Sequence, residues 1–160
     1  MRRGLIAAAT TAVLAASAPL AAGAAVEPRV ALDQSGRSHI WQGPSGRLTL
    51  LEFAASWCAP CRKTLPRLEA FARQHPDLRV LVVSVDERRT GRDELVASLH
   101  LSLPMLWDEE HRIAEHYRPE AMPAAFLISP AGGILDTASG SRTDHWEELV
   151  RRVEKELAGE

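Results

Sequence analysis

Cysteine is scarce in this 160-residue sequence: Cys58 and Cys61 are the only two. So low a count excludes a disulfide-stapled framework, which spreads several bridges over a small domain. There is no second C-x-x-C and no H-x-x-x-H nearby, which speaks against zinc, whose structural sites take four ligands. Tyrosine occurs once, aromatics make up 5%, and the formal net charge is −2. Without a basic excess or interleaved aromatics there is no electrostatic footprint for nucleic acid. No internal repeat or low-complexity stretch follows residue 26. The six histidines (His39, His75, His100, His111, His116 and His145) are scattered at poor ligand spacing and read as surface residues. Met105 reads as core. What remains, 46% hydrophobic and 25% charged, is the composition of one globular domain able to bury a core.

The informative stretch is Leu48 to Phe71, LTLLEFAASWCAPCRKTLPRLEAF. An apolar run leads into the cysteines and an amphipathic run leaves them, which predicts a strand handing a C-x-x-C to the start of a helix. The first N–H groups of a helix lack intrahelical partners and carry partial positive charge, so a thiolate there is stabilised and reactive. Cys58 is expected at that end and exposed, with Cys61 a turn inside, buried, and able to reach the same sulfur. A disulfide closing so short a loop constrains little of the unfolded chain, so a purely structural bridge is the weaker reading. Pro60 falls in the first turn, where its missing N–H costs little. Pro66 lies inside the pattern and predicts a kink, while Leu65, Leu68, Phe71 and Ala72 carry the apolar face onward.

Glu52 stands alone as a charge in the apolar strand. Buried, it must be paired or protonated; on an edge it would face water.

Met1-Arg2-Arg3 is a positive n-region, Leu5 to Leu14 an apolar h-region, and Ala22-Gly23-Ala24 an A-x-A site. Residues 1–24 therefore read as a signal peptide, leaving a domain over 25–160 with net charge −4. Gly4 to Val26 is uncharged and long enough to span a bilayer, so an uncleaved membrane anchor is the alternative. No cysteine near the cleavage site marks a lipoprotein. Export places the dithiol in a periplasmic or otherwise extracytoplasmic compartment, where disulfides persist.

Along the rest of the chain, Val30 to Ile40 predicts a hairpin around Asp33-Gln34-Ser35-Gly36. Leu48 to Ala54 and Leu78 to Val85 predict buried strands. Asp86 to Gly91 reads as a charged loop and Asp93 to Leu101 as a helix. Pro104 to Trp107 reads as extended and Glu109 to Tyr117 as helical. Ala124 to Ile128 and Gly133 to Asp136 should pair antiparallel across a glycine turn. A last helix, capped by Thr143 or Asp144, is expected with Trp146, Leu149, Val150, Val153 and Leu157 on its inner face.

WCAPC after an apolar strand, with a proline five residues beyond the second cysteine, resembles the thioredoxin superfamily. YRPEAMPAAFLISPAGGI (Tyr117 to Ile134) and the preceding LPMLWDEEHRIAEHY narrow the resemblance to the extracytoplasmic TlpA/ResA/DsbE-like branch, over roughly residues 29 to 157. The resemblance implies an α/β fold: a thioredoxin-like three-layer sandwich with a mixed central sheet, an N-terminal β-hairpin and a central strand-helix insertion. It implies that Pro123 is a cis-proline facing the dithiol, with the Met122 backbone offered to an incoming chain and Trp57, Ala59 and Pro60 forming the other wall of the groove. It further implies that Glu52 accepts a proton from Cys61 during exchange. The expected activity is thiol–disulfide exchange with exported protein thiols and disulfides. An electron-donor thiol protein would restore the pair, with no bound cofactor and no metal, in a monomer. Ala59-Pro60 adds no charge beside the sulfur, which favours a reductant over an oxidant or isomerase. Cytochrome c maturation, oxidase assembly and reductive repair are all compatible. A Cu(I)-delivery module using the same two thiols is the alternative from another class.

Overall fold

The computed structural model describes residues 27–140 and 143–159, with the side chains of residues 143–145 outside that description. The expected signal segment lies outside the described residues, as do the side chains of the expected cap, Thr143 or Asp144.

The elements run β1 (Arg29–Leu32), β2 (Ser38–Gln42), β3 (Thr49–Ala54), α1 (Cys61–Gln74), β4 (Arg79–Ser84), α2 (Arg89–Leu99), β5 (Met105–Trp107), α3 (Arg112–Tyr117), β6 (Ala124–Ile128), β7 (Ile134–Ser139) and α4 (Thr143–Ala158). A five-stranded sheet has the order β5-β4-β3-β6-β7. β3, β4 and β5 are parallel, while β6 and β7 run antiparallel to their neighbours. β3, at the centre, is buried at all six positions. That explains its near-continuous apolar run, since a strand covered on both faces has no alternation to show.

The two faces carry separate cores. Leu50, Ala54, Val82 and Leu127 pack under α1, with Leu95 of α2 and Leu149 and Val153 of α4. Leu51, Phe53, Leu81 and Phe126 pack on the other side with Ile113 and Tyr117 of α3 and Trp41 of β2. α4 thus buries part of the face its periodicity predicts.

β1 and β2 form their own two-stranded sheet. Its turn is fixed by Asp33, whose Oδ1 accepts the N–H groups of Ser35 (2.8 Å) and Arg37 (3.0 Å), and by Gly36 at φ +82°. His39 Nε2 lies 2.8 Å from Asp33 Oδ2, so His39 is a partnered residue of the turn rather than an idle surface histidine. Burial alone would raise the Asp33 carboxyl, but hydrogen bonds from Ser35, His39 and Arg37 outweigh it and hold it well below the usual carboxylate range. The hairpin is tied to the main sheet by the Gln34 amide, which donates to the Leu103 carbonyl (2.9 Å) and accepts from Met105 N–H (2.7 Å). Tyr117 O–H ties it again, donating to the Trp41 carbonyl at 2.6 Å.

Three boundaries differ from expectation. α2 begins at Arg89 and ends at Leu99, so the helix occupies part of the stretch read as a charged loop. Arg88 to Gly91 has no apolar residue to signal periodicity. α3 begins at Arg112 rather than Glu109, because the Asp108 carboxylate accepts the N–H groups of Ile113 (3.0 Å) and Ala114 (2.8 Å) and so sets the start. β7 extends to Ser139, its ladder with β6 continuing to the Ala124 pairing.

Candidate active site

β3 ends at Ala54, and a tight turn follows in which Cys58 N–H donates to the Ala55 carbonyl at 3.1 Å. Pro60 stands at the N-cap with helical dihedrals, and its carbonyl accepts the N–H groups of Lys63 (2.9 Å) and Thr64 (3.1 Å). α1 therefore opens at Cys61, and Cys58 lies just ahead of it. The two sulfurs form a disulfide. Cys61 N–H donates to Cys58 Sγ at 3.2 Å, so the first free amide of the helix points at that sulfur. Cys61 has no exposed surface and Cys58 only 4%. The expectation of an exposed Cys58 is corrected here: its sulfur is folded back over the helix end against Cys61 instead of projecting outward. α1 continues through Pro66 to Gln74, as its apolar face requires.

Trp57 is 67% exposed beside the disulfide, Ala59 is exposed and Pro60 half-buried. Pro123 is buried, Met122 half-buried, and the bond between them is cis. β6 starts at Ala124, which pairs with Phe53. Met122-Pro123 therefore lies at the end of the sheet from which β3 delivers the cysteines, and Met122 packs against the cluster that contains both of them. The five groove residues expected from sequence thus fall at one end of the sheet.

Glu52 is buried in β3 at 2% exposure, which rules out an edge position facing water. Its cross-strand neighbours are Val82 and Ala125. Burial pushes its carboxyl up to about 7 against the opposing effect of a hydrogen bond from Thr64. Thr64 O–H donates to Glu52 Oε1 at 2.8 Å, and Thr64 Oγ1 also lies 3.3 Å from the carbonyl oxygen of Cys61. A carboxyl balanced near neutrality can take up or release a proton at physiological pH.

A second carboxylate shapes the site, and the sequence reading passed over it. Asp86, 4% exposed at the end of β4, accepts the Ser56 hydroxyl (2.7 Å), the Ser56 N–H (3.1 Å to each oxygen) and the Ser84 hydroxyl (2.8 Å). The first acid after a buried strand, two residues beyond Ser84, was the available signal. Arg62, the residue after Cys61, turns toward α2, donating to Ser98 Oγ (3.1 Å) and Glu94 Oε1 (3.3 Å). Among the described residues no group of three or more His, Cys, Asp or Glu side chains is arranged to hold a metal.

A family model described as thioredoxin-like matches residues 46–134, more than half of the chain. The chain belongs to the thioredoxin-like family. It is 29% identical over 103 residues to the sporulation thiol-disulfide oxidoreductase A of Bacillus subtilis, an alignment covering 61% of this chain and 62% of that one. It is 25% identical over 137 residues to the thiol-disulfide oxidoreductase ResA of Geobacillus thermodenitrificans, covering 84% and 78%. The crystal structure of StoA from Bacillus subtilis superposes with a TM-score of 0.66 at 25% identity, over 78% of this chain and 96% of that one. The chain thus spans about three fifths of the first relative's length. The mixed five-stranded sheet between helices is a thioredoxin-like fold.

Proposed function

We propose that this protein is an exported thiol–disulfide oxidoreductase that works as a reductant on protein disulfides. The observation that carries the reading is the Cys58–Cys61 disulfide at the opening of α1, with the Cys61 amide directed at Cys58 Sγ.

In the reduced protein the Cys58 thiolate attacks a partner disulfide. One partner sulfur leaves as a thiolate and a mixed disulfide forms. The Cys61 thiol then loses its proton to Glu52, and its sulfur attacks Cys58. The second partner thiolate leaves, and the Cys58–Cys61 disulfide is restored. Two electrons pass from the dithiol to the partner, and an extracytoplasmic donor thiol protein returns them. The groove between Trp57, Ala59 and Pro60 on one side and Met122-Pro123 on the other receives the partner chain, whose backbone pairs with that of Met122 as an added strand. The names of the relatives, both thiol-disulfide oxidoreductases, support the reaction class.

Export rests on the charged, apolar and small-residue zones of residues 1–24, whether that segment is cleaved or kept as a tether. No helix among the described residues is long and apolar enough to cross a membrane.

The test is trapping. Cys61→Ser should accumulate a mixed disulfide between Cys58 and its partner in the extracytoplasmic fraction, identifiable by mass spectrometry, and Cys58→Ser should accumulate none. The reduced protein should also reduce insulin disulfides in a dithiol-dependent assay. Stoichiometric Cu(I) binding without disulfide reduction would replace this reading with metal delivery.

A further inference from the structure

We propose that Thr64 is a positioning residue for Glu52, holding its carboxyl through the first turn of α1 and tying its protonation to the carbonyl of Cys61. The inference rests on the reading of Glu52 as the proton acceptor for Cys61.

Thr64 has one hydroxyl proton and two acceptors within reach, Glu52 Oε1 at 2.8 Å and the Cys61 carbonyl at 3.3 Å. The second is the usual local bond of a threonine to the preceding turn of its own helix. The first is shorter and crosses from helix to central strand. With Glu52 ionised, the proton belongs on the carboxylate, because a charged acceptor makes the stronger bond. When Glu52 takes the proton from Cys61, its new O–H can donate to Thr64 Oγ1, and the Thr64 proton is free to turn to the Cys61 carbonyl. Thr64 neither gains nor loses a proton. It reorients, and the turn that holds the resolving cysteine registers where the transferred proton lies.

The surroundings leave Thr64 as the polar partner. At the register of Glu52, β4 presents Val82 and β6 presents Ala125. Leu65 of α1, Leu95 of α2, and Leu149 and Val153 of α4 belong to the apolar cluster that also holds Val82, Ala125 and the Cys58–Cys61 disulfide. Burial raises the Glu52 carboxyl and the Thr64 bond lowers it. Glu52 is sealed while its partner Thr64 is half-buried.

Removing the hydroxyl takes away a bond to the charged form, and a bond to a charged group corresponds to about one to two pH units. The experiment compares Thr64→Val, Thr64→Ser and Glu52→Gln with the parent protein. It measures the single-turnover rate of mixed-disulfide resolution from pH 5 to 9, alongside an infrared titration of the Glu52 carboxyl band assigned by its loss in Glu52→Gln. Thr64→Val should move both midpoints up by about one unit or more, and Thr64→Ser should restore them. Should the valine variant fail to fold, Thr64→Ala gives the same comparison without the branched methyl. Midpoints unmoved in the valine or alanine variant, with Glu52→Gln abolishing the inflection, overturn the role of Thr64 and leave that of Glu52 standing. An inflection that survives in Glu52→Gln overturns both.

Discussion

Asp86 holds Ser56 by its backbone and its side chain at once: both carboxylate oxygens accept the Ser56 N–H at 3.1 Å, and Oδ1 accepts its hydroxyl at 2.7 Å. Ser56 stands two residues before Cys58, so the loop presenting the disulfide is fastened to the end of β4, where the carboxylate also accepts from Ser84.

Asp86→Ala should therefore do more than remove one bond. It leaves the Ser56 N–H and the Ser84 hydroxyl without their acceptor, and each unsatisfied buried group costs about 1–3 kcal/mol. We expect a loss of about 2–4 kcal/mol in denaturant unfolding, with Asp86→Asn losing less because it keeps an acceptor oxygen. Gly91→Ala should act on the same clamp. A Cβ there would lie 2.6 Å from Asp86 Cγ, so the usual gain of alanine over glycine in a helix is forfeited. A double-mutant cycle between Gly91→Ala and Asp86→Ala should give a coupling above about 0.5 kcal/mol. Additive losses would show that the two positions do not interact.

The Ser56–Asp86 relationship also marks where the sequence stops being readable. Cys58, Cys61, Trp57 and Pro60 were legible because their chemistry lies in one contiguous run, β3 because it is a near-continuous apolar run, and α1 because its helical period is strong. The Asp86 bonds to Ser56 join residues 30 apart in sequence, and the Thr64 bond to Glu52 joins residues 12 apart. No local period encodes either. The burial of Glu52 could be anticipated from its apolar strand, but its hydroxyl partner on the facing helix could not. The start of α2 was hidden for a related reason: Gly91, a weak helix former, is there because the helix runs against Asp86. The anchoring of the hairpin by Gln34 and Tyr117 depends on tertiary contacts throughout.

Glu52 should give the protein a pH-dependent stability. Its carboxyl titrates near 4.5 when unfolded and is pushed up to about 7 by burial in the fold. Because the folded value is the higher one, the folded state binds the proton more tightly. The contribution is fully present below about pH 4.5 and is lost as pH rises through about 7. The span corresponds to about 3 kcal/mol. Unfolding free energies measured from pH 5 to 8 should fall in the parent protein, and Glu52→Gln should lack that fall and be the more stable of the two at pH 8. Parallel pH profiles for the two proteins would contradict the burial argument.

The two cysteines should differ in reactivity once reduced. Cys61 has no exposed surface, whereas Cys58 keeps 4% and its sulfur faces the opening of α1. Accessibility and the helix-end amide both favour the Cys58 thiolate. Iodoacetamide near pH 7, followed by peptide mass spectrometry, should label Cys58 at least about ten times faster than Cys61, a ratio of about 1.4 kcal/mol in barrier. Equal rates would remove the basis for making Cys58 the attacking sulfur.

The reduction potential should lie on the reducing side, and the arrangement around Cys58 gives the reason. A disulfide oxidises strongly when the thiolate it leaves behind is well stabilised. Cys58 Sγ accepts one backbone amide, from Cys61 at 3.2 Å. Pro60 has no N–H to add, and Ala59 has no charge. The nearest cation in sequence, Arg62, is shared among Ser98 and Glu94 on α2 and, through Nε at 3.4 Å, the Ser56 carbonyl, and the partly exposed pair with Glu94 leaves its field at the sulfur weakened by solvent and salt. Glu52, poised near neutrality, brings a proton acceptor rather than positive charge. The thiolate is therefore only modestly favoured. Equilibration with a glutathione buffer should give a potential more negative than about −180 mV, the level of protein disulfide isomerase. Arg62→Ala should shift it by less than about 30 mV, equivalent to 1.4 kcal/mol for this two-electron couple. A value more positive than −180 mV would make the protein an oxidant or isomerase, and a larger shift in Arg62→Ala would show that its charge reaches the sulfur after all.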